Sequence, residues 1–166
     1  MSREGVAQVT PGARGESSVA TGAAVLDHLL LELAAAGGFQ LQLEVAPDEP
    51  ESEVEAAGSA FGEALRPLLI DDAASGRGVG IVAADEALAM VVVERSGSPL
   101  VASNVDLTSE RAGGLRMDLA AAFLRGLAAA AGLTIHVRLF EGEDSAHVLE
   151  SIFKALGVAL AQGVET

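Results

Sequence analysis

The chain has 166 residues, a length that fits one domain with a substantial core or two small fused halves. Half the residues are hydrophobic but only 3% are aromatic, with no Trp and no Tyr, so the core must be built from Leu, Val, Ile, Ala and five Phe. A net charge of -14 with only ten Lys and Arg argues against nucleic-acid or anionic-membrane partners, and the absence of Cys excludes disulfides, thiolate catalysis, iron–sulfur clusters and Cys zinc sites.

The opening segment MSREGVAQVTPG has no apolar signal-like region, and later apolar runs are too short to span a bilayer, so a cytoplasmic protein is expected. Helical spacing predicts a helix over 25–36, stopped by Gly37-Gly38. Alternation predicts a strand over 39–45, with Phe39, Leu41, Leu43 and Val45 on one face. The acidic loop Pro47-Asp48-Glu49-Pro50 leads into a second helix over about 52–66, ended by Pro67. After Gly76-Arg77-Gly78, strands are expected over 79–82, 87–94 and 100–106, the last two joined as a hairpin by Ser96-Gly97-Ser98-Pro99. A helix over about 117–131 closes at Gly132, a strand covers 133–139, and the loop Glu141-Gly142-Glu143-Asp144 opens a final helix over about 145–162.

The order helix, Gly, strand, acidic loop, helix therefore occurs twice. Setting Leu33 against Leu127 also sets Gly38 against Gly132, Leu41 against Ile135 and Leu43 against Val137, and a one-residue gap brings Glu55 onto Glu150. Each half with its leading strands makes a sheet covered by helices on one face. The fold class expected is α+β, a duplicated helix-on-sheet sandwich, forming a single domain over 1–166 from halves of about 1–78 and 79–166.

Chemistry concentrates in DSAHVLESIFKAL, residues 144–156. His147, Glu150 and Lys154 are spaced to form one polar stripe of a helix, with Val148, Leu149, Ile152, Phe153 and Leu156 on the buried side. A His and a Glu one turn apart can share a metal ion. Only His28, His136 and His147 are available as imidazoles in the whole chain. A metal reading gathers His28, Glu55, His147 and Glu150, with Glu51 as a substitute carboxylate. Against it, Glu51, Glu53 and Glu55 can be solvated first-turn acids favoured by the helix dipole, the reading adopted for Glu53. Asp27-His28 is explained by a polar first turn, His136 by a surface strand position, and Lys154 by an i,i+4 ion pair with Glu150. The turn around Ser96-Gly97 could offer backbone N–H groups to an anion, though most such turns only connect strands.

The segments TGAAVLDHLLLELAAAGGF, ADEALAMVVVERSGSP and GLTIHVRLFEGEDSAHVLESIFKAL resemble the imidazoleglycerol-phosphate dehydratase family, the manganese-dependent lyases of histidine biosynthesis, from about Thr21 to Val164. The resemblance implies a duplicated α+β unit of the kind called ribosomal-protein-S5-domain-2-like. It also implies a large homo-oligomer with dimetal sites completed between subunits. In that family each half carries a His-His-x-x-Glu motif holding two Mn ions, which bind the substrate imidazole and stabilise its deprotonated form while water is eliminated.

Carried over, the first motif reads Glu51-Ser52-Glu53-Val54-Glu55 and the second Ala146-His147-Val148-Leu149-Glu150. A further family histidine falls at Ala122, and the turn that presents a phosphate-binding Arg has Ser98 at that position. The lost family positions are thus Glu51, Ser52, Ala122, Ala146 and Ser98. The residual metal set is His28, Glu55, His147 and Glu150, with Lys154 and Arg111 left to meet a substrate phosphate.

Because each good ligand contributes about a few kcal/mol, these losses compound, and a catalytically degenerate homologue acting as a binding, structural or regulatory protein is expected. The alternative is an active enzyme using the residual residues with fewer or different metals. As partners, a homo-oligomer, an intact paralogue and a small phosphorylated metabolite are considered; nucleic acid and membrane are not.

Overall fold

The computed structural model describes residues 5–12, 15–105, 111–112 and 115–166, with 111–112 and 115–116 described by backbone alone. The first part of the chain runs β1 (Gly5–Pro11), β2 (Ser18–Ala20), α1 (Ala24–Gly37), β3 (Phe39–Val45) and α2 (Pro50–Leu69). The second runs β4 (Arg77–Ala84), β5 (Ala87–Arg95), β6 (Leu100–Ser103), the short ribbon β7 (Arg111–Ala112) and β8 (Leu115–Arg116), then α3 (Met117–Ala131), β9 (Leu133–Glu141) and α4 (Ser145–Val164). Among the described residues, no helix is long and apolar enough to cross a membrane.

The duplication visible in sequence is carried into topology. In the first sheet β3 lies between β1, to which it is antiparallel, and β2, to which it is parallel. In the second, β9 lies in the same way between β5 and β6, and β4 adds an outer strand beside β5. Gly38 and Gly132, which the sequence aligns, take left-handed backbone at φ 70° and 72° where α1 and α3 end, a conformation glycine adopts without a Cβ penalty.

The same symmetry governs helix packing, α1 against α4 and α2 against α3. A Cβ on Gly157 of α4 would meet the backbone carbonyl of Leu33, and a Cβ on Gly62 of α2 would meet that of Leu127. Gly62 and Gly157 are equivalent in the aligned halves, as are Leu33 and Leu127, so each helix pair closes over the same glycine. Glycine also seats α4 on its sheet. A Cβ at Gly78 or Gly80 of β4 would meet the carbonyls of Ala159 or Ala155. Phe61, Phe123 and Phe153 are fully buried, and Phe123 bridges the other two at centroid distances of 6.5 and 5.6 Å, joining α2, α3 and α4 in one core.

Several expectations change. The hairpin expected between 87–94 and 100–106 does not form, because β9 occupies the place between β5 and β6. The last of those strands is shorter than expected, ending at Ser103; Asp106 lies outside the described residues. The second helix runs past Pro67 to Leu69, and the N–H of Ile70 closes its end on Arg66 O at 3.0 Å. A proline there removes one N–H bond but leaves little helix beyond it to disrupt.

Glu53 is not a solvated acid. It is 9% exposed, accepts the Asp48 N–H at 3.2 Å, and lies against Gly22, where any Cβ would strike its carboxylate. Asp27 likewise has a structural partner. Its Oδ1 accepts the N–H of buried Thr21 at 2.8 Å and the Thr21 hydroxyl at 2.5 Å, pinning the chain that enters α1.

Candidate functional site

The α1–α4 interface carries a cleft of about 300 Å3, lined by Ala24, Val25, His28, Leu29, Ala146, Leu149 and Glu150. Close packing at Gly157 brings the polar residues of the two helices together at its edge. Among the described residues, His28, Glu32 and Glu150 are the one group of three or more His, Asp or Glu whose ligand atoms all lie within 4.8 Å of one another. His28 Nε2 stands 4.0 Å from Glu32 Oε1, and its side chain is 62% exposed. Lys154 Nζ reaches Glu150 Oε1 at 3.2 Å and Glu32 Oε2 at 3.6 Å. The Glu150 hydrogen bond, aided by the charges of both carboxylates, raises the Lys154 pKa above its ordinary value against a smaller opposing effect of burial.

His147 belongs to a different cluster. Its Nδ1 lies 2.6 Å from Glu86 Oε1 and its Nε2 3.2 Å from Asp85 Oδ2, both in the tight turn between β4 and β5. Asp85 takes left-handed backbone at φ 52°, which a short polar side chain tolerates better than a bulky one. The other oxygen of Glu86 accepts the N–H groups of Asp144 at 2.9 Å and Glu143 at 3.1 Å, and Asp144 in turn caps α4 by accepting from Ala146 and His147. The Asp144 N–H, then His147 and the Glu143 N–H, lower the Glu86 pKa to about 2. The Glu86 hydrogen bond raises the His147 pKa, with the charges of Asp144, Glu86 and Asp85 adding to it. The stripe drawn from helical spacing thus divides. Glu150 and Lys154 turn to α1, and His147 turns to the β4–β5 turn.

Of the four residues assigned by resemblance to a residual metal set, His28 and Glu150 share the α1–α4 cleft. His147 is held in the turn cluster, and Glu55 lies exposed on α2, within the α2–α3 pair. The substituted positions are spread the same way. Ala146 lines the cleft, Glu51 and Ser52 occupy the first turn of α2, and Ala122 is buried in α3. Ser98 sits in a self-satisfied turn. The N–H groups of Ser96 and Gly97 go to Gly132 O, that of Ser98 goes to Ser96 Oγ, and Pro99 has none, so no free N–H remains for an anion. The Arg111 side chain lies outside the described residues.

Three participants, Glu32, Asp85 and Glu86, were missed from sequence. Glu32 carried a usable signal, since it is four residues from His28 on the same helix. Asp85 and Glu86 carried none, because both lie far from His147 in the chain, 61 residues in the case of Glu86.

Comparison with known proteins agrees with this architecture. Residues 21–160 match the family model described as imidazoleglycerol-phosphate dehydratase. The chain is 40% identical over 150 residues to the imidazoleglycerol-phosphate dehydratase of Desulforudis audaxviator, covering 88% of this chain and 76% of that protein. It is 37% identical over 151 residues to that of Pelobacter propionicus, covering 89% and 77%. The crystal structure of the Staphylococcus aureus imidazoleglycerol-phosphate dehydratase superposes with a TM-score of 0.85 at 29% identity, covering 96% of this chain and 92% of that one. That of the Pyrococcus furiosus protein, in complex with (S)-C348, gives the same score and identity over 99% and 92%.

Proposed function

The chain belongs to the imidazoleglycerol-phosphate dehydratase family, and on that premise we propose that it is a degenerate member, with a binding, structural or regulatory role in place of catalysis. One observation carries the reading: the imidazole left in the two family motifs, His147, has both ring nitrogens against carboxylates of the β4–β5 turn, at 2.6 and 3.2 Å. The residues present do not fit a pair of manganese ions. Two His-His-x-x-Glu motifs require four imidazoles, and the corresponding positions hold Glu51, Ser52, Ala146 and His147.

Assembly into a homo-oligomer does not repair this, because every copy brings the same three histidines. Removing a proton from a non-acidic carbon requires the developing charge to be spread onto metal-bound nitrogen, so a site short of imidazoles loses stabilisation of the transition state itself. The α1–α4 cleft remains a place to bind a small molecule, with apolar walls and a polar edge at His28 and Glu150.

Self-association is part of the same proposal. Val79 and Ile81 of β4 are 44% and 56% exposed, and they stand beside Val92 and Met90 of β5 on the outer face of the second sheet. An apolar sheet face of this kind suits contact with another copy. A cytoplasmic setting accords with the absence of a membrane-crossing helix among the described residues.

A second reading is favoured by the proximity of His28, Glu32 and Glu150, which could hold a single divalent ion in an enzyme of altered chemistry. One experiment separates the two. Protein purified with added manganese is analysed for bound metal and assayed for dehydration of imidazoleglycerol phosphate. The degenerate reading expects well under one ion per chain and no turnover. Stoichiometric manganese together with turnover would reject it.

A further inference from the structure

We propose that the open edge of β1 is a second self-association surface, on which the β1 strand of another copy pairs antiparallel about a two-fold axis at Gln8. The surface is separate from the outer face of the second sheet, and its use does not depend on the state of the α1–α4 cleft. Comparison of the two halves singles this edge out. β5 is flanked by β4, whereas its counterpart β1 has no strand on that side among the described residues. In consequence Val91 and Val93 are wholly buried, while Ala7 and Val9, which hold the same places in the ladder, are partly exposed. Ala64 of α2 is partly exposed too, where its counterpart Ala159 of α4 is sealed against β4.

The ladder fixes which backbone groups the edge presents. Leu41, opposite Val9, gives its N–H to Ser17 Oγ on the β2 side, so Val9 and Leu41 form a pair that exchanges no backbone bonds. Alternation then points the N–H and C=O groups of Gly5, Ala7 and Val9 away from β3. Among the described residues, no strand or side chain meets them. The edge of β4 is sealed instead. The Gln162 amide accepts from Val79 N–H at 2.9 Å and donates to Val79 O at 3.0 Å, and Ser75 Oγ donates to Arg77 O at 2.9 Å. In α2 the place of Gln162 is held by Pro67, which has no polar side-chain atom.

A second β1 has the chemistry that this place requires. Exposed strand edges are commonly guarded by charged side chains, yet Gly5–Pro11 contains none, in a chain of net charge -14. Two such chains repel wherever their acidic surfaces meet, so an uncharged, self-complementary edge is where they can approach. With the two Gln8 residues opposite each other, Ala7 of each copy exchanges backbone bonds with Val9 of the other, and these partly exposed side chains become covered. Only Gly, Ala and Val then face α2, as the space demands where a Cβ at Gly5 would already meet Ala56 O at 3.0 Å. The acid of β3, Glu44, lies opposite Val6 and would stand about 20 Å from its copy, beyond the screening length at ordinary salt.

The test uses the full chain carrying Ile81→Lys, so that contact through the outer face of the second sheet is suppressed. Light scattering should find this variant dimeric. Adding Gln8→Lys or Gln8→Glu sets like charges opposite each other at the axis, and each double variant should be monomeric. An equimolar mixture of the two should form dimers again. The chain has no cysteine, so Gln8→Cys in the Ile81→Lys chain reports the contact directly. Opposed residues of a non-bonded pair lie about 4.5 Å apart between Cα atoms, within disulfide reach. Oxidised glutathione should therefore cross-link Gln8→Cys, and should leave Gln42→Cys, one strand inward on the same face, uncross-linked. A monomeric Ile81→Lys chain would leave the edge to a segment of another protein and overturn the proposal. A dimer that survives both Gln8 charges overturns it as well, as does equal cross-linking at Gln42. Should a charged variant fail to fold, the two cysteine variants still decide. Bound metal and turnover do not enter these readouts, so failure here is distinguishable from failure of the degenerate reading.

Discussion

His147 shows how much a single residue's role depends on its neighbours in space. Its hydrogen bond to Glu86 couples two titrations whose signs can be worked out. Glu86 is held near 2, below its ordinary 4.5, so its contribution to stability is present above pH 4.5 and is lost as pH falls toward 2. His147 is raised above 6.5, so its contribution is present below pH 6.5 and is lost as pH rises through the folded value. The pair therefore works at full strength between about pH 4.5 and 6.5. Melting temperatures of the unaltered chain and Glu86→Gln should differ most inside that window, converge as pH falls toward 2, and above the folded His147 value narrow only to the part due to the Asp144 and Glu143 N–H bonds. Proton NMR of the His147 ring should give a midpoint above 6.5 that moves back toward 6.5 in Glu86→Gln. A midpoint that stays put would assign the shift to Asp144 and Asp85 instead. Neither partner of His147 could be read from the local sequence, whereas the Glu150–Lys154 pair, one turn apart on α4, could.

At the scale of elements, local periodicity located the long helices and the central strands within a few residues, because burial of one face is written into their spacing. Strand neighbours were another matter. The turn Ser96-Gly97-Ser98-Pro99 has the residues of a hairpin, yet β5 and β6 each pair with β9, which comes some thirty residues later in the chain. Turn chemistry records a change of direction and carries no information about which strand fills the gap. Helix contacts follow a clearer rule, since Gly62 and Gly157 hold equivalent places in the two halves. Gly157→Ala should push α1 from α4 through the Leu33 carbonyl, and Gly62→Ala should do the same to α2 and α3 through Leu127. Each is expected to cost about 1–3 kcal/mol in urea unfolding, despite alanine's better helix propensity. A neutral or stabilising result at either position would contradict the close approach described for that pair.

For the whole molecule, the prediction concerns the outer face of the second sheet. Size-exclusion chromatography with light scattering should find the unaltered chain larger than a monomer, and Ile81→Lys should shift it toward smaller species with its fold retained, because Ile81 is 56% exposed within one chain. A monomeric unaltered chain would remove the case for self-association. The sequence by itself determined the duplication, the α+β class, the family and the loss of motif imidazoles, since all of these are properties of residue order and identity. Only the tertiary structure decided that β9 separates β5 from β6, that His147 is clamped by Asp85 and Glu86, and that Lys154 stands between Glu32 and Glu150. The physical reason is the same in each case. Periodicity reports which face of an element is buried, while pairing, charge neutralisation and ligand geometry depend on groups that folding brings together from distant parts of the chain.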